Sequence, residues 1–109
     1  MVTSPQPGAN VYVSPPILRE RFNASQIPEL IEGGVLTPQF LRDDHLRNPE
    51  SLGEQWCTRS QTIRYLNTQG TWVLEVHQYR RSDGSLGASG LPDPKRMRVG
   101  AEVWIAERA

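Results

Sequence analysis

The stretch TRSQTIRYLNTQGTWVLEVHQYRRSDGSLGASGLPDPKRMR, residues 58–98, decides the fold. Within it Trp72, Leu74 and Val76 alternate with Val73, Glu75, His77 and Tyr79, and Ile63 and Tyr65 alternate with Arg64 and Leu66. Successive side chains of a strand leave opposite faces, so this period of two, rich in β-branched and aromatic residues, marks half-buried strands. Asn67-Thr68-Gln69-Gly70 between the two runs reads as a four-residue hairpin loop, with glycine where positive φ is needed. The pattern predicts a hairpin of residues 58–67 and 71–81. Ser82-Asp83-Gly84-Ser85 then reads as a turn opening a loop over residues 83–95. Pro92 and Pro94 around Asp93 argue against a central strand there, because proline gives no ladder N–H.

Working outward, residues 97–99 and 101–106 resume extended character around Gly100 and predict a final strand that includes Trp104. Upstream, residues 1–16 carry Pro5, Pro7, Pro15 and Pro16 and read as a flexible arm, with Val11, Tyr12 and Val13 fit for at most a short edge strand. Residues 17–109 read as a single domain. Residues 17–22 are ambiguous. Asn23 or Ser25 as a cap, Pro28 near the start and Gly33-Gly34 as a stop predict a helix of about two turns that buries Ile27, Leu30 and Ile31. Thr37-Pro38 and Asn48-Pro49 bracket a second short helix over residues 39–47, burying Phe40 and Leu41. The expected fold class is α+β: a small antiparallel sheet of three to four strands, C-terminal, covered on one face by two short N-terminal helices.

A chain of 109 residues with 37% hydrophobic residues holds one modest core, so self-association through the sheet, as a homodimer, is an expectation. Net charge is zero, but it is distributed unevenly. Residues 58–98 hold seven basic residues (Arg59, Arg64, Arg80, Arg81, Lys95, Arg96, Arg98) against Glu75, Asp83 and Asp93. That is a balance of +4, offset by −4 in the remainder. Eleven of the twelve cations are arginine, which stacks and makes forked hydrogen bonds better than lysine. The basic half suits an acidic partner, or the acidic half of the same chain. The single cysteine, Cys57, excludes an intramolecular disulfide and a cysteine-cluster metal site, and beside Trp56 it reads as a small apolar filler. Residues 1–8 lack a basic-then-apolar leader pattern, and no apolar run approaches the ~20 residues of a membrane helix. A cytoplasmic location without membrane contact is the expectation.

The candidate chemistry is sparse. Gly84, Gly87 and Gly90 near Arg80, Arg81, Lys95 and Arg96 suggest backbone amides that cradle a phosphate. Yet a nucleotide loop opens a helix after a parallel strand, and here prolines follow, so glycines needing positive φ or close backbone approach explain the spacing better. Glu75, His77 and Tyr79 on one strand face suggest a tuned general base, against the plainer reading of ordinary cross-strand pairing. Asp43-Asp44-His45 points in diverging directions on a helix, which argues against a metal site, and no cofactor motif is present. The strongest pattern is aromatic residues Tyr65, Trp72 and Tyr79 interleaved with Arg59, Arg64, Arg80 and Arg81. Such a sheet face stacks unpaired bases while guanidiniums hold phosphates, although Tyr65 and Trp72 alternate with the core face, so at least one of them is expected to be buried instead.

The run His77-Gln78-Tyr79-Arg80-Arg81-Ser82-Asp83-Gly84-Ser85-Leu86-Gly87-Ala88-Ser89-Gly90-Leu91-Pro92-Asp93-Pro94-Lys95 resembles a pattern found in small uncharacterised bacterial proteins, some of them on mobile elements. The resemblance extends from Gln61 to Met97 and implies no activity.

Together these features predict a non-enzymatic interaction module. Its binding surface combines Arg64, His77, Tyr79, Arg80, Arg81, Lys95 and Arg96 with the loop glycines Gly84, Gly87 and Gly90. The expected partner is a protein, a second copy or another chain, with nucleic acid as the other class. The rival is a small nuclease-like hydrolase that uses His77 with Glu75, and Arg80 or Lys95 to stabilise an anion.

Overall fold

A computed structural model of the chain describes residues 9–88 and 90–107. Six strands form one sheet: β1 (Asn10–Val13), β2 (Thr37–His45), β3 (Arg59–Leu66), β4 (Trp72–Arg80), β5 (Asp93–Val99) and β6 (Glu102–Ala106). Two helices, α1 (Pro15–Ala24) and α2 (Ile27–Glu32), lie between β1 and β2, and a single 3-10 turn (Pro49–Leu52) precedes β3. The spatial order is β1-β6-β5-β4-β3-β2, with β1 parallel to β6 and every other pair antiparallel.

This corrects the expected small antiparallel sheet of three to four strands under two helices. The sheet has six strands and is mixed, and one helix of ten residues does most of the covering. The segment expected to be a helix over residues 39–47 is strand β2, paired along β3 from Thr37↔Leu66 to His45↔Arg59. Its residues are exposed throughout, so no one-sided apolar stripe exists to identify it. Phe40 and Leu41, expected to be buried, are 48% and 43% exposed. Strand β5 begins at Asp93 and runs between β4 and β6 despite Pro94. The register steps from Glu75↔Arg96 to Val76↔Pro94, leaving Lys95 as an extra residue, and a bulge is where a sheet tolerates proline.

Of the expected arm, residues 1–8 lie outside the described residues, Asn10–Val13 forms β1, and Pro15 and Pro16 open α1. Proline is at home there, since first-turn N–H groups have no partner within the helix. Ser25, not Asn23, marks the start of α2: its Oγ accepts the Ile27 N–H at 3.2 Å and donates to the Phe22 carbonyl at 2.7 Å. Gly34, at φ 72°, ends α2 in the left-handed region. The hairpin stands as read, with Gly70 at φ 80° in its loop.

The core lies between α1 and the β3–β4–β5 part of the sheet. Leu18 and Phe22 pack on Ile63, Leu74, Val76 and Met97, all buried, with Ile27, Ile31 and Trp104 at the rim. Each full burial of such a side chain is worth about 1.5–3 kcal/mol. Among the described residues, no helix lies on the other face of the sheet. At the β2 edge, Pro38 has no N–H for a further strand, a bulge breaks the register between Phe40 and Arg42, and charged residues follow. These are the usual devices that keep an edge from pairing.

Candidate binding face

The cross-strand register assembles the uncovered face. Arg64 stands opposite Glu75, Glu75 opposite Arg96, Arg96 opposite Ile105, and Ile105 beside Tyr12. This row lies on the face opposite Leu74 and Val76, because side chains alternate along β4. Glu75 is shared by two guanidiniums: Arg64 Nε donates to its Oε1 at 3.0 Å, and Arg96 Nε lies 3.8 Å from its Oε2. One carboxylate thus stands between two arginines, and the row keeps a positive excess.

Trp72 joins them through a bulge. Strict alternation puts Trp72 with Leu74 and Val76, facing α1. The register instead passes from Tyr65↔Leu74 to Leu66↔Trp72, so Val73 is an extra residue and packs against the core. Trp72 is thereby turned to the open face. Arg64 and Arg98 lie over its ring, at 5.1 Å and 4.6 Å from the centroid, and Arg98 Nε donates to the Trp72 carbonyl at 2.7 Å. Guanidiniums are attracted to the negative face of an indole, and that attraction orders both side chains.

Beside this patch, His77 sits where β4 and β5 begin to pair, opposite Asp93. A groove of about 590 Å³, whose lining includes Thr62, Glu75, His77, Lys95, Arg96, Ile105 and Glu107, runs past it. His77 Nε2 and Ser60 Oγ are 2.8 Å apart, and the Tyr79 ring meets the imidazole edge-on at 4.7 Å. Burial pushes the His77 pKa below its ordinary value. Lys95 lowers it further, and Asp93 acts in the opposite sense. Lys95 Nζ is itself held by Asp93 at 2.7 Å.

The glycine loop has a different occupant from the one its spacing suggested. Arg81 Nε donates to Glu54 Oε1 at 2.9 Å and Arg81 Nη2 to Oε2 at 3.1 Å. The Ala88 N–H reaches Oε2 at 2.9 Å, and the Thr58 hydroxyl donates to Oε1 at 3.4 Å. A Cβ on Gly87 would come within 2.6 Å of this carboxylate, so only glycine admits it. Gly84 and Gly90 serve turns at φ 88° and 77°. The loop is an anion receptor, and the chain fills it with its own Glu54, which is 8% exposed. These donors hold the Glu54 pKa at about 2, the Arg81 hydrogen bonds contributing most.

The predicted site residues therefore separate into groups. Arg64, His77, Lys95 and Arg96 share the open face and its groove, with Tyr79 against His77. Arg81 and Gly87 belong to the Glu54 latch. Arg80 is exposed opposite Arg59, at the end of the sheet away from Trp72. Of the residues proposed for a hydrolase, Glu75, His77 and Lys95 line one groove and Arg80 does not. The expected binding surface did not include Arg98, counted only among the basic residues, nor Ser60 or Glu54. The first two follow from register, but nothing local marks Glu54. Cys57, read as a filler, is exposed, and its neighbour Trp56 is 70% exposed.

Among the described residues, no group of three or more His, Cys, Asp or Glu side chains is arranged to hold a metal ion. No helix among them is long and apolar enough to cross a membrane. Comparisons with protein families, with curated proteins and with solved structures find no match to this chain.

Proposed function

We propose that the chain is a non-enzymatic binding module that takes an anionic partner on the open face of its sheet. The observation that carries this reading is the patch in which Arg64 and Arg98 lie over Trp72 and Glu75 stands between Arg64 and Arg96. Three arginines with one acid between two of them attract an anion, and holding Arg64 and Arg98 in place on the indole beforehand lowers the entropic cost of binding. The glycine loop stabilises the fold in this reading, because Glu54 occupies its donors.

Charge replacement tests it. The double variant Arg64→Gln, Arg98→Gln is expected to lose most of its affinity for a polyanion such as polyphosphate in a calorimetric titration. Arg47→Gln, an exposed arginine after β2, is expected to retain it. Equal binding by all three proteins contradicts the assignment to this face.

The second reading, a hydrolase, draws on the 2.8 Å contact between Ser60 Oγ and His77 Nε2 beside a groove that Lys95 also lines. A neutral imidazole next to a hydroxyl is the arrangement of a base and a nucleophile. Ser60→Ala separates the two readings: it removes the hydroxyl that a hydrolase needs as its nucleophile and so abolishes turnover, whereas a binder keeps its affinity.

A further inference from the structure

We infer that the anionic partner of the open face is an unpaired nucleic-acid strand. This rests on the binding reading above and names its partner class. Three features of the face point the same way. Its cations around Trp72 are all guanidiniums, which fork onto phosphate oxygens and also stack on flat rings. Aromatic rings stand at separate stations: Trp72 among the arginines, the His77–Tyr79 pair farther along β4, and Tyr12, 61% exposed, at the far end of the Arg64–Glu75–Arg96 row. Bases stack on the Tyr12 and Tyr79 rings irrespective of sequence, and at Trp72 a base meets the guanidiniums that lie over the indole, which stack on bases as well as holding phosphates.

The third feature excludes the alternatives. The face offers side chains on a sheet and no helix, so a base must be splayed out of a duplex to meet Trp72 or Tyr79. An acidic peptide has no use for a row of aromatic stations. Its usual way onto a sheet, as an added strand, leads to an edge, β1 or β2, and not onto the open face, and at β2 it is obstructed by Pro38 and by the bulge between Phe40 and Arg42.

The experiment is fluorescence anisotropy of the full chain with a labelled oligothymidylate and a labelled oligouridylate, each about ten nucleotides long, a length matched to single-strand site sizes. Unlabelled duplex of the same length and hexaglutamate serve as competitors. With three phosphates neutralised, log affinity should fall against log salt with a slope of about −2.1, a loss of about 80-fold between about 25 and about 200 mM salt. Trp72→Ala should weaken binding about tenfold or more, because the stacked layer of indole and guanidiniums is lost. Arg98→Gln, which leaves the ring in place, should weaken binding and make the salt slope shallower by about 0.7. Arg47→Gln should change neither. Competition by the duplex as strong as by the single strand overturns the inference. Binding of hexaglutamate without binding of either oligonucleotide overturns it and leaves the anion-binding face standing. Silence with every anion overturns both.

Discussion

Arg81 grips Glu54 with both arms of its guanidinium, Nε on Oε1 at 2.9 Å and Nη2 on Oε2 at 3.1 Å, across 27 residues of sequence. The pair ties the segment before β3 to the arch after β4, and the Ala88 N–H completes the grip. The carboxylate titrates at about 2 in the fold against an ordinary 4.5, so the unfolded chain binds the proton first as pH falls. The latch therefore stabilises fully above pH 4.5, and its contribution is lost as pH falls from there through about 2. Thermal melts of the wild type and Glu54→Gln should differ most at neutral pH, with the wild type the more stable. The gap should close toward pH 2. A constant gap contradicts the latch.

The backbone beneath that carboxylate sets up a contrast between neighbours. Gly87→Ala drives a Cβ to within 2.6 Å of the Glu54 carboxylate and should cost about 1–3 kcal/mol. Ala88, by contrast, sits at φ 54°, in the left-handed region that glycine prefers. Ala88→Gly should therefore be neutral or stabilising by up to about 1 kcal/mol. Urea denaturation of the two variants checks both signs at once.

Leu74 is fully buried in the middle of the core, and Phe40 is 48% exposed on the β2 edge. Leu74→Ala should cost about 2–5 kcal/mol. Phe40→Ala should cost well under about 1 kcal/mol, as surface changes do. If residues 39–47 instead formed a helix that buried Phe40, the two costs would be comparable.

His77 should titrate below the ordinary 6.5 in an NMR pH series, chiefly because burial disfavours its charged form. Lys95→Met removes a neighbouring positive charge and should raise the midpoint. Asp93→Asn removes a negative one and should lower it. Because the folded imidazole resists protonation, its neutral form supports the fold above pH 6.5, and that support declines as pH falls through the lowered value. Shifts of the opposite sign would displace His77 from its place between these two groups.

Much of the fold was legible where burial is one-sided. Ile63, Leu74 and Val76 declared the hairpin because β3 and β4 bury one face and leave the other open, and Gly70 and Gly84 announced their turns by the φ they need. Strand β2 was illegible because both its faces are exposed. Its strand character comes from pairing with β3, while Thr37-Pro38 and Asn48-Pro49 imitate helix ends. Pro94 concealed β5, since a bulge in the register is invisible from one strand alone. In the same way Val73 reversed the side of Trp72 and brought it to Arg64 and Arg98. Glu54 stayed hidden because its partners, Arg81 and Ala88, lie 27 and 34 residues away.

The most direct test of the open face uses the three tryptophans, which report from three surfaces. Trp72 lies on the open face, Trp104 stacks with Arg21 on the α1 side, and Trp56 is exposed before β3. A nitrogen-15 NMR titration of the full chain with polyphosphate, then with a short single-stranded oligonucleotide, resolves one indole N–H signal from each. Binding at the open face moves the Trp72 indole and the backbone amides of Arg64, Glu75 and Arg96, leaves the Trp104 and Trp56 indoles in place, and fades as salt is raised. Shifts at Trp104 or Trp56 with Trp72 unmoved, or no shift at low salt, would contradict the account.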